Sequence, residues 1–207
     1  MKALDSLNTL SDLCASQRGM FTAAQARSLG VGKMDLSRLA ANGHVEQVRR
    51  GVYRAAAAPS FRGEDVYAVW LALDPATPAF RRPVDGSGFT ASLNTAAWLQ
   101  GLGELKPSPL TFSCPRRRQS RNAGLKFIRR ELPVPDIAIA GGIPVTAPGR
   151  TVLDLIDCGE DLSLVATVLR DAEAVGLGAV PPEDVDARAA RCGFPDGFDL
   201  YGYLKGR

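Results

Sequence analysis

Residues 33–38 bring together side chains whose types suit contact with a DNA duplex: Lys33, Asp35, Ser37 and Arg38. Arginine can donate a pair of hydrogen bonds to guanine O6 and N7, whereas lysine supplies a point charge to a base edge or a phosphate. Phosphate repels Asp35, so we expect its carboxylate to contact a base amine or to pair with a neighbour. A solvated helix surface with no ligand is the alternative interpretation of Arg38.

A second basic cluster follows at residues 49–54, where Tyr53 lies among three arginines. A basic hairpin beside a helix in the major groove commonly contacts the minor groove or the flanking phosphates. The residues that we expect to bind DNA are Lys33, Ser37, Arg38, Arg49, Arg50, Tyr53 and Arg54.

The segments that carry these residues predict a helix-turn-helix. The first helix is expected from Thr22 to Leu29, because the Thr22 hydroxyl can accept a hydrogen bond from an unpaired amide of the first turn. Gly30 supplies the left-handed backbone that ends a helix, and only a short turn follows it. The second helix is expected over residues 33–41, and its apolar positions are Met34, Leu36, Leu39 and Ala40.

The residues after the second helix predict a β-hairpin. β-Branched and aromatic residues flank Arg50 and Gly51, so the tip is expected at that pair. The spacing of apolar residues in 1–17 predicts one more helix at the start of the chain. Together these elements predict a winged helix-turn-helix domain over residues 1–57, a module that places a helix in the major groove of DNA.

The distribution of charge agrees with a polyanionic partner once the chain is divided. The whole chain has a formal net charge of +3. Residues 1–57 contain eight basic and four acidic residues (+4), and residues 106–135 contain eight and one (+7). Residues 58–105 contain three and five (−2), and residues 136–207 contain six and twelve (−6). Both basic blocks are candidate surfaces for nucleic acid.

Residues 60–207 predict a larger α+β domain, in which helices pack against a small sheet. The predicted strands are 109–113 and 125–130, followed by a hairpin of residues 137–139 and 143–145. The tail after residue 192 is expected to contribute aromatic packing. The predicted helices are 62–73, 91–102, 148–157, 162–175 and 181–192.

The second basic block has three open interpretations: solvated charge, additional contact with bent DNA, or a surface for RNA, nucleotide or an acidic protein. Strand alternation places Lys126 and Arg130 on one side of the sheet and Arg129 on the other. A single ligand therefore cannot contact the whole block, which consists of Arg116, Arg117, Arg118, Arg121, Lys126, Arg129 and Arg130.

Arg150 and Thr151 begin a predicted helix that also carries Asp154 and Asp157. We expect Thr151 to cap this helix and Arg150 to pair with a carboxylate. A surface for a protein partner is the alternative.

The residue content argues against catalysis and against a metal site. His44 is the single histidine, and there is no GxxxxGKS loop and no Asp-x-Asp or Glu-x-Lys pair on a predicted strand. No apolar run approaches the roughly 20 residues that span a bilayer, and we find no secretory leader. We therefore expect a cytoplasmic protein with no catalytic residues, cofactor, metal or membrane contact. The cysteines form no CxxC pair and are Cys14, Cys114, Cys158 and Cys192.

Four further segments follow the basic hairpin, which ends in Gly-Val-Tyr-Arg. They are ASLNTAAWLQGL (91–102), LTFSCPRR (110–117), KFIRRELP (126–133) and GGIPVTAPGRTVLDLI (141–156). In sequence and order, over about residues 4–180, the chain resembles the AbiEi family, antitoxins of abortive-infection type IV toxin–antitoxin systems. Some members of that family carry a nuclease-like Asp…Glu-x-Lys centre, which we do not find on the predicted strands.

The resemblance implies an N-terminal domain that binds operator DNA and represses its own operon, and a C-terminal domain that counters a nucleotidyltransferase-like toxin without a stable complex. It also favours a monomer in solution. One alternative is a winged-helix regulator with a ligand-sensing second domain and no toxin partner. Another is a nuclease or nucleotidyltransferase guided by its own winged domain.

Overall fold

The structure, a computed structural model, describes residues 3–176 and 180–206. The chain divides into two compact units, residues 1–82 and 83–207. Each unit combines a small sheet with helices, so the predicted mixed α+β fold is confirmed.

The first unit contains the predicted helix-turn-helix. Its helices are α1 (Ala3–Ser16), α2 (Ala23–Ser28), α3 (Lys33–Ala41) and α4 (Glu64–Leu73), with a 3-10 turn at Ala79–Arg81. Its strands are β1 (Met20–Thr22), β2 (Val45–Arg49) and β3 (Val52–Ala55), and they form an antiparallel sheet in the order β1-β3-β2. Strand β1 was not predicted, and it adds a third strand to the β2–β3 hairpin.

The core of the first unit joins α1, the helix-turn-helix and the start of β2. Helices α1, α2 and α3 contribute apolar side chains from one face each, as amphipathic helices do. The buried residues of this cluster are Leu10, Leu13, Phe21, Ala26, Val31, Leu36, Leu39 and Val45.

The first unit extends to Arg82, beyond the boundary that the sequence places at residues 57–60. The buried guanidinium of Arg82 donates hydrogen bonds to the carbonyl oxygens of Trp70, Leu71 (2.9 Å) and Asp74. The amide of Ala79 donates to Oε1 of Gln17 in the N-terminal region (2.6 Å). These bonds attach α4 and the segment after it to the helix-turn-helix.

The second unit places helices around a sheet of mixed direction. Its helices are α5 (Leu93–Gln100), α6 (Pro148–Asp157), α7 (Leu162–Ala174), α8 (Pro182–Asp186) and α9 (Leu200–Lys205), with 3-10 turns at Val134–Asp136 and Ala189–Cys192. Its strands are β4 (Thr90–Ala91), β5 (Leu110–Cys114), β6 (Leu125–Arg129), β7 (Ile137–Ala140) and β8 (Ile143–Thr146).

The sheet of the second unit has the order β6-β5-β4-β8-β7. Strands β5 and β6 are parallel, as are β4 and β8, while β4–β5 and β7–β8 are antiparallel. The predicted hairpin of residues 137–145 is therefore confirmed. The parallel pairs could not be predicted, because the partners of β5 and β4 follow only after long connections.

The core of the second unit lies between the helices. Helix α6 buries Val152, Leu155 and Ile156, and α7 buries Val165 and Leu169 against it. Residues of α5, α8 and α9 complete the same cluster. The predicted bounds of the 148–157 helix are also confirmed, since α6 spans Pro148–Asp157.

Two helix predictions in the second unit are wrong in detail. The helix expected at 91–102 begins at Leu93, because Ala91 belongs to β4 and pairs with Phe112. The helix expected at 181–192 stops after α8, where Arg188 donates back to the Asp184 carbonyl oxygen and pairs with Asp157. The tail contributes not only stacked aromatic rings but also the helix α9.

Candidate nucleic-acid interface

The position of α3 follows from local signals at the start of α2 and in the turn between the two helices. Thr22 accepts a hydrogen bond from the Gln25 amide (3.1 Å), and the Gln25 side chain accepts one from the Thr22 amide (2.9 Å). This reciprocal capping box starts α2 as predicted. Gly30, with a φ of +84°, then reverses the chain so that α3 can begin at Lys33.

Packing decides which side of α3 remains available for a ligand. Leu36 and Leu39 are buried in the core of the first unit. The opposite side exposes the predicted contacts Lys33, Ser37 and Arg38. These three side chains therefore share one exposed surface on α3.

The exposed side of α3 also carries an acidic residue and an apolar residue, Asp35 and Met34. Asp35 pairs with its neighbours: its carboxylate accepts from the Gly32 amide (3.2 Å) and lies 3.7 Å from the Arg38 guanidinium. Of the four apolar positions predicted for this helix, Met34 and Ala40 do not pack in the core, because both are exposed, Met34 at 72%. The Met34 side chain lies on the exposed side of α3, next to Lys33, Ser37 and Arg38. Helical spacing alone does not predict this, because it groups Met34 with the apolar residues.

The β2–β3 hairpin presents its basic tip beside the start of α2. The carbonyl oxygen of Gly51 accepts a hydrogen bond from the Ala23 amide (2.9 Å). Gly51 has a φ of +76°, a backbone conformation that favours glycine at the tip. Arg50 is exposed and Arg49 is partly exposed, so both predicted phosphate contacts are accessible.

The other two hairpin residues have contacts within the fold. Tyr53 stacks on Phe21, with ring centroids 5.7 Å apart, and remains partly exposed. Arg54 pairs with Glu46 and with Glu64 (2.8 Å), and only 15% of its side chain is exposed. Contrary to the expectation from sequence, Arg54 therefore joins the hairpin to α4 and is not available to a phosphate.

One exposed cation near the hairpin, Arg27, was not among the residues expected to bind DNA. Arg27 is exposed in the last turn of α2 and lines a concavity of about 330 Å³ together with Arg50 at the hairpin tip. Two guanidinium groups beside one concavity suit a phosphate oxygen. The sequence shows a basic residue in the last turn of helix α2, but it does not show that this residue lies near Arg50.

The second basic block does not form one surface. Arg130 is partly buried and donates to Ser113 (2.8 Å) and to both carboxylate oxygens of Asp154, so its assignment to a ligand surface is corrected. Arg118 lies over the rings of Phe89 (4.9 Å) and Phe127 (5.7 Å). Arg118 is itself exposed, as are the remaining members of the block: Arg116, Arg117, Arg121, Lys126 and Arg129.

The described residues hold no evident metal centre. Across residues 3–176 and 180–206, no three His, Cys, Asp or Glu side chains come close enough to share a metal ion. Glu104 and Lys106 form a Glu-x-Lys triplet, but it lies in the connection between α5 and β5 and not on a strand. Within the same residues, every helix is too short or too polar to cross a bilayer.

Comparison with protein families agrees with the division of the chain. A model described as "Transcriptional regulator, AbiEi antitoxin" matches residues 8–56, and a model of the "AbiEi antitoxin C-terminal domain" matches residues 89–186. The chain belongs to the AbiEi antitoxin family. Among curated proteins, none matches it significantly.

The fold of this AbiEi protein is similar to that of a solved structure, "Crystal structure of RV2827C protein from Mycobacterium tuberculosis". The TM-score is 0.54 at 16% sequence identity, and the similarity covers 97% of this chain and 76% of that one. At this identity the comparison supports the fold alone.

The segment of the AbiEi C-terminal domain that begins at Gly141 uses its polar residues to hold α6 in place. Asp154 is 4% exposed and accepts hydrogen bonds from Arg130 and from Nε of Arg150 (2.8 Å), while Arg150 also donates to Asp136 (2.7 Å). Burial by itself lowers the pKa of Arg150, but the hydrogen bonds to Asp154 and Asp136 outweigh it and raise that pKa above its ordinary value. The predicted pairing of Arg150 with a carboxylate is confirmed.

Thr151 does not cap α6, so that prediction is wrong. The helix begins at Pro148, three residues earlier, and its N-cap Ala147 has no side chain that can accept. The Thr151 hydroxyl instead donates to the carbonyl oxygens of Thr146 (2.9 Å) and Ala147 (3.0 Å) from inside the first turn. Proline set the helix start, because it favours the first helical positions.

Proposed function

We propose that this AbiEi-family protein is the antitoxin of a type IV toxin–antitoxin system and represses its own operon, with residues 1–82 binding operator DNA. The observation that supports DNA binding is the exposed side of α3. Its cations Lys33 and Arg38 are exposed, and among the ion pairs of the described residues Arg38 contacts only Asp35 of the same helix. The buried side, in contrast, is occupied by Leu36 and Leu39. A helix held this way can insert into the major groove.

The proposed contacts divide into base contacts and phosphate contacts. Lys33, Ser37 and Arg38 on α3 face the base edges. Arg49, Arg50 and Arg27 contact the phosphates that flank the groove, because they lie on the hairpin and on the last turn of α2. Tyr53 supports the hairpin through its stacking on Phe21 and contacts the sugar–phosphate backbone with its exposed part.

The second proposed activity belongs to the C-terminal unit. It counters a nucleotidyltransferase-like toxin without a stable complex, and the protein is a monomer in solution. The proposed partner surface consists of Arg116, Arg117, Arg121, Lys126 and Arg129, which are exposed. It leaves out Arg130, which the fold uses, and the exposed Arg118, whose guanidinium stacks on aromatic rings.

Fluorescence anisotropy of the full-length chain with a labelled duplex from its own promoter tests DNA binding. Three phosphate contacts release about three counterions, so log K should fall with log salt at a slope of about −2.7. This slope corresponds to about a 40-fold loss of affinity between about 50 and 200 mM salt. Equal affinity for the promoter and for a shuffled duplex of the same composition would refute sequence-specific binding to an operator.

Co-expression with a nucleotidyltransferase-like toxin encoded in the same operon tests the proposed antitoxin activity. The full-length Lys33→Ala/Arg50→Ala variant should lose repression of a promoter reporter and still restore growth, because these two side chains lie in the DNA-binding unit. A variant with Arg116, Arg117 and Arg121 changed to Ala should keep repression and lose rescue. If every variant that loses DNA binding also fails to restore growth, the proposal that the C-terminal unit has a separate antitoxin activity is refuted.

A further inference from the structure

Met34 is an exposed apolar side chain that the fold does not explain. At 72%, it is the most exposed of the large hydrophobic residues that the structure describes, ahead of Phe80 at 64% and Val134 at 63%. The core contacts of α3 come from Leu36 and Leu39, which are almost completely buried. A polar residue at position 34 would leave that packing unchanged.

The position of Met34 gives it a specific environment. It lies in the first turn of α3, and Lys33 precedes it, while Ser37 and Arg38 follow at the i+3 and i+4 positions that share its face. Single exposed hydrophobic residues are common on protein surfaces and need no explanation by themselves. This one is surrounded by the cations that favour a polyanion, and it occupies the part of a recognition helix that contacts base edges.

The major groove offers one apolar group to such a side chain. The 5-methyl group of thymine projects into the groove, and apolar side chains distinguish it from the polar edges of the other bases. Methionine suits this contact because its unbranched thioether adapts to the position of the methyl group. We propose that Met34 determines sequence specificity by contacting a thymine methyl group in the operator, an inference that rests on the proposed binding of DNA by α3.

Replacing single thymines by deoxyuridine tests the inference, because this change removes only the methyl group. The probe is the promoter duplex that the full-length protein protects in a footprint, with each protected thymine replaced in turn. At one or two positions the wild-type protein should lose about fourfold in affinity, which corresponds to about 0.8 kcal/mol for one buried methyl-sized group. The same replacements should not weaken binding by the Met34→Ala variant.

Two variants sharpen the comparison. Met34→Leu should keep the sensitivity to deoxyuridine, since leucine preserves an apolar contact, whereas Met34→Gln should lose it. Leu29→Ala is the matched control: it also truncates an exposed aliphatic side chain but lies outside α3, so the wild-type pattern should remain. All of these variants should melt like the wild type, because neither residue is buried.

The outcomes separate the inference from the proposed function. If the wild type binds its promoter but no deoxyuridine position distinguishes it from Met34→Ala, the role of Met34 is refuted and DNA binding stands. If the wild type does not prefer its promoter over a shuffled duplex, the proposed function itself fails.

Discussion

Arg50 and Arg54 lie four residues apart in one hairpin region, yet the structure predicts opposite consequences for their removal. Arg50 is exposed at the tip and makes no described ion pair. Arg54 is largely buried between Glu46 and Glu64. Changing each to alanine therefore separates a phosphate contact from a structural ion pair.

The expected magnitudes follow from these environments. Arg50→Ala should reduce the salt slope from about −2.7 to about −1.8 and weaken binding about eightfold at about 0.1 M salt. Changing Arg49 as well should bring the slope to about −0.9 and the loss to about 60-fold. Arg54→Ala should leave the slope unchanged and lower the free energy of unfolding by about 2 kcal/mol, because Glu64 loses its charged hydrogen-bond donor in a partly buried site.

Two measurements check this prediction. Anisotropy titrations of the promoter duplex at four salt concentrations give the slope, and urea unfolding followed by circular dichroism gives the stability. The reasoning is refuted if Arg54→Ala changes the slope as much as Arg50→Ala does. It is also refuted if Arg50→Ala destabilises the fold as much as Arg54→Ala.

Further predictions concern the C-terminal unit. Arg130→Ala should lower the free energy of unfolding by about 2–3 kcal/mol in urea titrations, because buried Asp154 loses a bidentate partner. As a control, changing the exposed Arg117 to alanine should alter the free energy of unfolding by less than about 0.5 kcal/mol. Equal effects of the two changes would contradict the assigned contacts. Hydrogen bonds from Lys205 and Tyr201 lower the pKa of Glu173, so its contribution to stability exists above the unfolded pKa of about 4.3 and is lost as the pH falls through the folded pKa. Glu173→Gln should therefore destabilise the protein at pH 7, by less than about 1 kcal/mol, and not at about pH 2; a difference that persists in acid would exclude this linkage.

Local signals made several elements predictable from the sequence. The capping residues Thr22 and Gln25 define the start of α2, and Gly30 ends α2 and begins the turn to α3. Proline and apolar spacing similarly define α6 over Pro148–Asp157. In each case the decisive contacts join residues within about one helical turn, so residues that are close in the sequence determine them.

The sequence could not show which arginines are exposed and which are buried in ion pairs. Arg50 and Arg54 look alike in the chain, as do Arg129 and Arg130, but exposure separates the members of each pair. The difference arises from carboxylates that only the fold brings close: Glu64 for Arg54 and Asp154 for Arg130. An ion pair between elements depends on their packing, and residue type and spacing do not determine that packing.

The sequence alone determined most of the longer helices and strands, the basic blocks and the family, because these depend on local spacing and on recurring segments. It did not predict the short elements β1, β4 and α9. The tertiary structure decided where the first unit ends, that strands β5 and β6 run parallel, and which side of α3 is exposed. Helical periodicity groups Met34 with the other apolar residues of α3. Only the packing of Leu36 and Leu39 into the core turns Met34 outward, since a helix buries the arc that its neighbours cover and exposes the rest.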